Sequence, residues 1–516
     1  MPTTASLRTV SDETLQPAFR QRIEQNLSER VVMTILHHHD SVRIGDRAEL
    51  FEVGVNATAE VGRAIGDFGG QPLDDPFLSR RPWVLQQHGG RVSISAGGSP
   101  LRVNGVPTND TAFSLESLSS GAVLTLAERV VLLLHTATRR PNSTPGRFLG
   151  QSDSAQQLRD EVARVADLAI PVLIRGESGT GKELVAEAIH AASPRGRRPW
   201  VAVNMSALSE TTAVAELFGH SRGAFTGADR SAPGHFGRAA GSTLFLDEIG
   251  EASMSLQALL LRALESGEVQ PVGGGPILRP DVRVLTATDA DLEQLVTEGR
   301  FRDPLRHRIG AYEIHVSPLR ERRSDLGLLL RAFLEMEMRE LGESEALRPR
   351  DARDASWLGA LVAERLFLYG WPGNVRQLRN AARQICVASR GGTHAVFPEV
   401  LDRLLVAGET RPADKRRSER VRPSALSPAE LEHALSQHRF EVTETATALG
   451  ISRTTLYRLI DAHPTIRRAR DIGDAELRAA FETHNGDLVA LSSQFKVGRY
   501  ALSTRLKALG LTTKSQ

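Results

Sequence analysis

Hydrophobic positions change their rhythm along this chain. Between residues 31 and 136 the apolar runs are short, as in Arg91-Val92-Ser93-Ile94-Ser95 and Ala122-Val123-Leu124-Thr125-Leu126, and Gly, Pro, Asn and Asp separate them. Strand-length runs punctuated by turn formers predict an all-β sandwich over 31–138. From 147 to 390 β-branched runs alternate with longer amphipathic stretches, the pattern of an α/β domain. Pro171-Val172-Leu173-Ile174, Trp200-Val201-Ala202-Val203, Thr243-Leu244-Phe245-Leu246 and Val282-Arg283-Val284-Leu285 are its buried-strand candidates. From Asp325 onward the periodicity is mostly helical, which predicts a helical lid on that domain. The C-terminal region reads as helical in two stretches, 426–464 and 470–512.

Polar, breaker-rich segments divide these regions. Residues 1–30 read as an arm. The run Arg139-Arg140-Pro141-Asn142-Ser143-Thr144-Pro145-Gly146 suits neither strand nor helix. Residues 391–425, with Arg411-Pro412, Lys415-Arg416-Arg417 and Arg422-Pro423, read as a linker.

Composition narrows the picture only slightly. The chain has 516 residues, 24% charged and 41% hydrophobic, with a net charge of +2; this is ordinary globular protein in several domains. Any nucleic-acid surface must therefore be local. The single cysteine, Cys386, allows no intramolecular disulfide and no thiolate metal cluster. With no signal-like N-terminus and no apolar stretch of membrane-spanning length, the expectation is a cytoplasmic protein with no membrane partner.

Gly176-Glu177-Ser178-Gly179-Thr180-Gly181-Lys182-Glu183 follows a buried-strand candidate and opens a helix. Glycines at this spacing let successive backbone N–H groups curl around phosphates, the helix N-terminus adds its positive end, and Lys182 can reach the β- and γ-phosphates of ATP. Glu183 stands where Ser or Thr usually ligates Mg²⁺. The apolar strand candidate Thr243-Leu244-Phe245-Leu246 ends in Asp247-Glu248, which places two acids at the sheet's C-terminal edge. Asp247 is the candidate Mg²⁺ ligand, and Glu248 the candidate that orients and activates the attacking water. Arg302 and Arg308 stand in an arginine-rich turn. An arginine donated from outside the cradle is worth as much as about 10³–10⁵ in rate, and in a head-to-tail ring a neighbour could supply it.

From about 147 to 390 the chain resembles the AAA+ domain of bacterial sigma-54-dependent transcription activators. Gly176–Glu183, Glu216-Leu217-Phe218-Gly219-His220, Gly223-Ala224-Phe225-Thr226-Gly227-Ala228, Leu244–Glu251, Pro318-Leu319-Arg320-Glu321-Arg322 and Trp371-Pro372-Gly373-Asn374-Val375-Arg376 carry the likeness. In that family the phosphate loop also ends in glutamate. The resemblance implies ATP hydrolysis in a ring, a hexamer, that remodels sigma-54 RNA polymerase. It makes Gly223–Ala228 the loop that touches the sigma factor, with Phe225 and Thr226 at the contact. It also makes Asn204 the residue that restrains the catalytic glutamate, Arg376 the lid arginine that reads nucleotide, and Arg302 and Arg308 the trans-acting arginines. Asp289 departs from the family, where Asn is usual, and so does Pro304 beside the arginines.

Near the C-terminus, 426–464 reads helix, helix, turn, helix, with Ala446, Leu449, Ile451 and Leu456 as core and Gly450 at the turn. Ser452 is a candidate N-cap. Arg453, Thr454, Thr455, Tyr457 and Arg458 would lie on a major-groove recognition helix, and the segment resembles the Fis-type helix-turn-helix that ends sigma-54 activators. The pattern recurs at a constant offset: Leu431 corresponds to Leu477, His438 to His484, Leu449 to Phe495, Arg453 to Arg499 and Leu456 to Leu502. Arg499 and Arg505 are the second copy's DNA candidates.

Within the β-rich region the order Gly62-Arg63, Ser79-Arg80, Asn104-Gly105 resembles a forkhead-associated domain, which binds phosphothreonine peptides. Arg63, Ser79 and Arg80 would then meet the phosphate and Asn104 the peptide backbone, while Pro82 replaces the family's usual histidine. No aspartate-rich receiver pattern precedes the ATPase, so control by a Ser/Thr kinase is the expectation. The reading is thus a sigma-54 activator bound to upstream enhancer DNA. The rivals are a AAA+ remodelling ATPase or a DNA-binding regulator that does not act on sigma-54.

Overall fold

A computed structural model describes residues 29–138, 148–347 and 356–409, apart from 96, 210 and 226–227, together with a discontinuous set between 428 and 511. Two compact units divide the chain, Met1–Thr410 and Arg411–Gln516.

The first unit opens with two antiparallel sheets. One has the order β2-β1-β10-β9-β6-β7 and the other β3-β4-β5-β8. Their strands are β1 (Glu29–His37), β2 (Arg47–Glu52), β3 (Ala57–Val61), β4 (Trp83–His88), β5 (Arg91–Ser95), β6 (Leu101–Val103), β7 (Val106–Thr108), β8 (Asp110–Ser114), β9 (Ala122–Leu126) and β10 (Val130–Thr138). β4 shows the alternation of a one-faced strand, with Trp83, Leu85 and Gln87 buried between partly or fully exposed neighbours. β1, β9 and β10 do not alternate; nearly every residue in them is buried. Val31, Met33, Ile35, Leu132 and Leu134 fill the sandwich, while Leu36, Val123, Val131 and Leu133 on the opposite face belong to a second core.

The helices that complete that second core are the lid: α5 (Leu326–Glu340), α6 (Ala360–Leu368), α7 (Asn374–Ala388) and α8 (Glu399–Glu409). The lid extends past residue 390. Leu401 and Leu405 of α8 are buried in its core, so the expected linker over 391–425 begins with a packed helix. Full burial of a Leu or Val side chain is worth roughly 1.5–3 kcal/mol, enough to hold such a helix in place.

Between sandwich and lid in sequence lies a parallel sheet, ordered β12-β13-β14-β11-β15: β11 (Val172–Arg175), β12 (Trp200–Asn204), β13 (Thr243–Asp247), β14 (Arg283–Thr288) and β15 (Glu313–His315). Its central strands are buried almost throughout, as a parallel sheet covered by helices on both faces requires. The relevant helices are α1 (Asp153–Val165), α2 (Lys182–Ala192), α3 (Met254–Ser266) and α4 (Asp303–Ile309).

In the second unit the described helices are α9 (Pro428–Gln437), α10 (Asp474–Thr483) and α11 (Leu488–Phe495). Ile472, Leu477, Leu491, Phe495, Leu502 and Leu506 share one core there. Lys496, aligned with Gly450 of the preceding segment, has a left-handed backbone with φ 54° and pairs with Glu432 of α9.

Candidate nucleotide site

β11 ends at Arg175 and α2 begins at Lys182, with the glycine-rich loop between them. Gly179 and Gly181 have φ of 77° and 101°, a left-handed conformation that a side chain resists. Two left-handed glycines leading into a helix N-terminus give the backbone geometry that cradles a phosphate. Lys182 is buried; its Nζ donates to the Gly176 carbonyl at 2.9 Å and lies 3.9 Å from Glu248 Oε1. Glu183 is exposed in the first turn of α2.

Asp247 and Glu248 stand at the C-terminal end of β13. Glu248 has a left-handed backbone, φ 53°, and its N–H donates to Asp247 Oδ1 at 3.1 Å. Burial raises the Glu248 carboxyl above the usual carboxylate range; Lys182 opposes this, while Asp289, hydrogen-bonded to it, and Asp247 reinforce it. The departure at Asp289 therefore lies against the candidate base itself. Asn204 is paired in register with Asp247, but its Oδ1 accepts from the Ser206 N–H and hydroxyl at 2.9 and 2.6 Å. In this structure it caps a turn. No three His, Cys, Asp or Glu side chains gather to cage a metal among the described residues. A hard cation here would rest on the Asp247 carboxylate and phosphate oxygens, the usual arrangement for Mg²⁺.

The lid closes over this loop. Trp371 and Asn374 are both left-handed, and the sharp turn between them brings the Gly373 carbonyl to 2.5 Å from where a Cβ on Gly179 would stand. Asn374, fully buried, donates to Glu177 Oε2 and the Ser178 carbonyl, both at 3.1 Å, and accepts from the Leu319 N–H. Arg320 grips Glu177 with two bonds of 2.8 and 2.6 Å and, with Asn374, holds that carboxyl below its usual range. Arg376 reaches Ser178 Oγ at 3.2 Å, while Arg322 donates to the Thr180 carbonyl. The Glu177–Arg320–Asn374 cluster was legible only as parts of three motifs with no stated partner.

Arg302 and Arg308 are exposed and bind carbonyls of α3, Met254 and Leu264 respectively, rather than the phosphate loop. Pro304 occupies the first turn of α4, where its missing N–H costs nothing. In the other loop, Gly223 N–H bonds the Ala228 carbonyl at 2.8 Å. Phe225 is half exposed, its ring centroid 5.0 Å from that of His220. Gly273, left-handed, packs against Ala224. Thr226 and Gly227 lie outside the described residues.

Residues 148–315 match the sigma-54 interaction domain, 320–418 the AAA+ ATPase lid domain and 429–462 the bacterial regulatory proteins of the Fis family. The anaerobic nitric oxide reductase transcription regulator NorR of Salmonella typhi is 39% identical over 376 residues, which cover 68% of this chain and 72% of NorR. The chain belongs to the sigma-54-interacting AAA+ transcription regulators. NtrC of Escherichia coli K12 is 44% identical over 245 residues, 47% of this chain and 50% of NtrC, so the match spans half of that regulator. NtrX from Brucella abortus, solved in complex with ATP, is 30% identical over 62% of this chain and 70% of its own, with a TM-score of 0.42.

Two further sets of candidate residues lie in the sandwich and in the C-terminal unit of this sigma-54-family chain. Arg63 donates to the Pro76 carbonyl, Ser79 exchanges bonds with Ser99 and Arg81, and Arg80 is exposed; these loops meet, with Pro82 packed on Gly62. Asn104 sits in the β6–β7 turn with φ 47°, its Oδ1 accepting from Val123 N–H at 2.9 Å. Arg453, Thr454, Thr455, Tyr457, Arg458 and Arg499 lie outside the described residues, and Arg505 pairs with Asp474 at 2.6 Å.

Proposed function

We propose that this protein uses ATP hydrolysis in a ring of its own copies to activate transcription by sigma-54 RNA polymerase, from upstream DNA held by its C-terminal unit. The observation that carries the reading is the phosphate loop, base and lid arginine in one site, joined in one domain to a glycine-rich loop tipped by exposed Phe225. Mg²⁺, held by Asp247 and the phosphates, would supply charge neutralisation. Lys182 and the loop N–H groups bind and orient the phosphates. Glu248 accepts the proton of the attacking water, and Arg302 and Arg308 serve the neighbouring protomer's site, a role that fits their bonds to α3 carbonyls in place of this chain's own loop.

Thr226→Ala tests the coupling. Transcription from a sigma-54 promoter should be abolished while ATPase activity stays within about twofold; unaltered transcription would refute the loop's role. Arg63, Ser79, Arg80 and Asn104 support a narrower reading of the sandwich as a phosphothreonine-peptide reader answering to a Ser/Thr kinase. The repeated C-terminal pattern supports a duplicated helix-turn-helix. A regulator of sigma-54 ancestry that no longer touches the sigma factor is the reading the Thr226 measurement excludes.

A further inference from the structure

The outer face of the sandwich is apolar where a free sandwich would be polar, and the lid covers it. Leu36, Val123, Val131 and Leu133 share a core with Leu330, Phe367 and other lid side chains. Glu364 of α6, 2% exposed, accepts from Thr125 Oγ1 at 2.7 Å and from Arg102 Nε at 3.1 Å, both on the sandwich. Arg323, preceding α5, donates to the carbonyls of Ser120 and Gly121 on one side and of Phe367 on the other. At Gly327 the first turn of α5 lies so near β1 that a Cβ would come within 2.5 Å of the Leu36 carbonyl. A dry core, a buried acid with two donors across the joint and a backbone contact without slack leave little room for sliding, because packed interiors deform poorly. The lid's opposite end meets the phosphate loop through polar contacts, from Asn374 and Arg376 of α7 and from Arg320 and Arg322 just before α5.

We propose that the N-terminal sandwich and the lid are one rigid body, so that a change of nucleotide at the phosphate loop swings the sandwich with the lid, and whatever seizes the sandwich biases the lid's grip on nucleotide. The inference rests on the nucleotide-site reading. It makes the sandwich a handle on Arg376. The coupling is reciprocal by linkage: a sandwich ligand that discriminates between lid positions changes ATP affinity by the same factor that ATP changes its own.

The native thiol permits a clean test. Cys386 is fully buried and its pKa is pushed up to about 12 by burial, so labels go to introduced cysteines. Spin labels at the exposed positions Val55→Cys on the sandwich, Val387→Cys on the lid and Leu168→Cys on the core give three pairwise distances in the full chain. Labelled protein is diluted with unlabelled, and distances are measured with and without a non-hydrolysable ATP analogue. Binding of a fluorescent analogue is measured on the same samples, so a failed nucleotide site shows as no binding. With nucleotide bound, the 55–387 distance should stay fixed while 55–168 and 387–168 shift together. A 55–387 change as large as the 387–168 change overturns the proposal, as does a bound analogue that moves neither core distance.

Discussion

Glu248 shows how much one residue's surroundings decide. Its left-handed backbone directs it back toward Lys182, and burial with Asp289 and Asp247 nearby raises its carboxyl, a setting suited to a base that must take a proton and release it. Glu248→Gln should therefore bind ATP with near wild-type affinity and lose turnover by 10²-fold or more, on the order expected for a general base. Lys182→Ala should instead lose binding itself, and a fluorescent-nucleotide titration beside a phosphate-release assay separates the two. The glycines, lysine and acids were legible in the sequence because their chemistry depends on local spacing. The Glu177–Arg320–Asn374 cluster was not, since its members come from three separate parts of the chain.

At the scale of elements, β1 and β10 carry two buried histidines on the lid-facing side of their sheet. His37, hydrogen-bonded to Ser356, is held down to about 4 by burial and by His38, Arg129 and His39; His135, bonded to Thr34, is held down to about 4 by burial and Arg47, against a smaller upward pull from Asp153. Both are neutral in the folded protein and take up protons near the ordinary value of about 6.5 when unfolded. The unfolded chain thus binds more protons between pH 6.5 and 4, and stability falls as pH falls through that window. Each histidine contributes on the order of 3 kcal/mol at full effect, before any relaxation of the joint. Urea unfolding at pH 7 and pH 5 should show a lower midpoint at pH 5, and replacing His135 by Gln should reduce that difference.

For the whole molecule, Arg302 and Arg308 bond carbonyls of α3 and not the phosphate loop, and the proposed ring would complete each site between copies. Arg302→Ala should bind ATP yet hydrolyse it poorly, and Lys182→Ala should fail to bind. Mixed together, the two variants should recover more ATPase than either alone, because some neighbours then pair an intact loop with an intact arginine; no recovery at any ratio would place the arginine's action within its own chain.

The sequence alone determined the class of each region and the chemistry of the phosphate loop, because strand alternation, helical period and glycine placement act over a few residues. β1, β9 and β10 are apolar over most of their length, but a run buried on both faces reads the same whatever covers the second face. Only the tertiary structure decided that the cover is the lid. That choice depends on Glu364, Gly327 and Arg323 meeting Thr125, Leu36 and Ser120 across more than two hundred residues of chain, a meeting that no local spacing encodes.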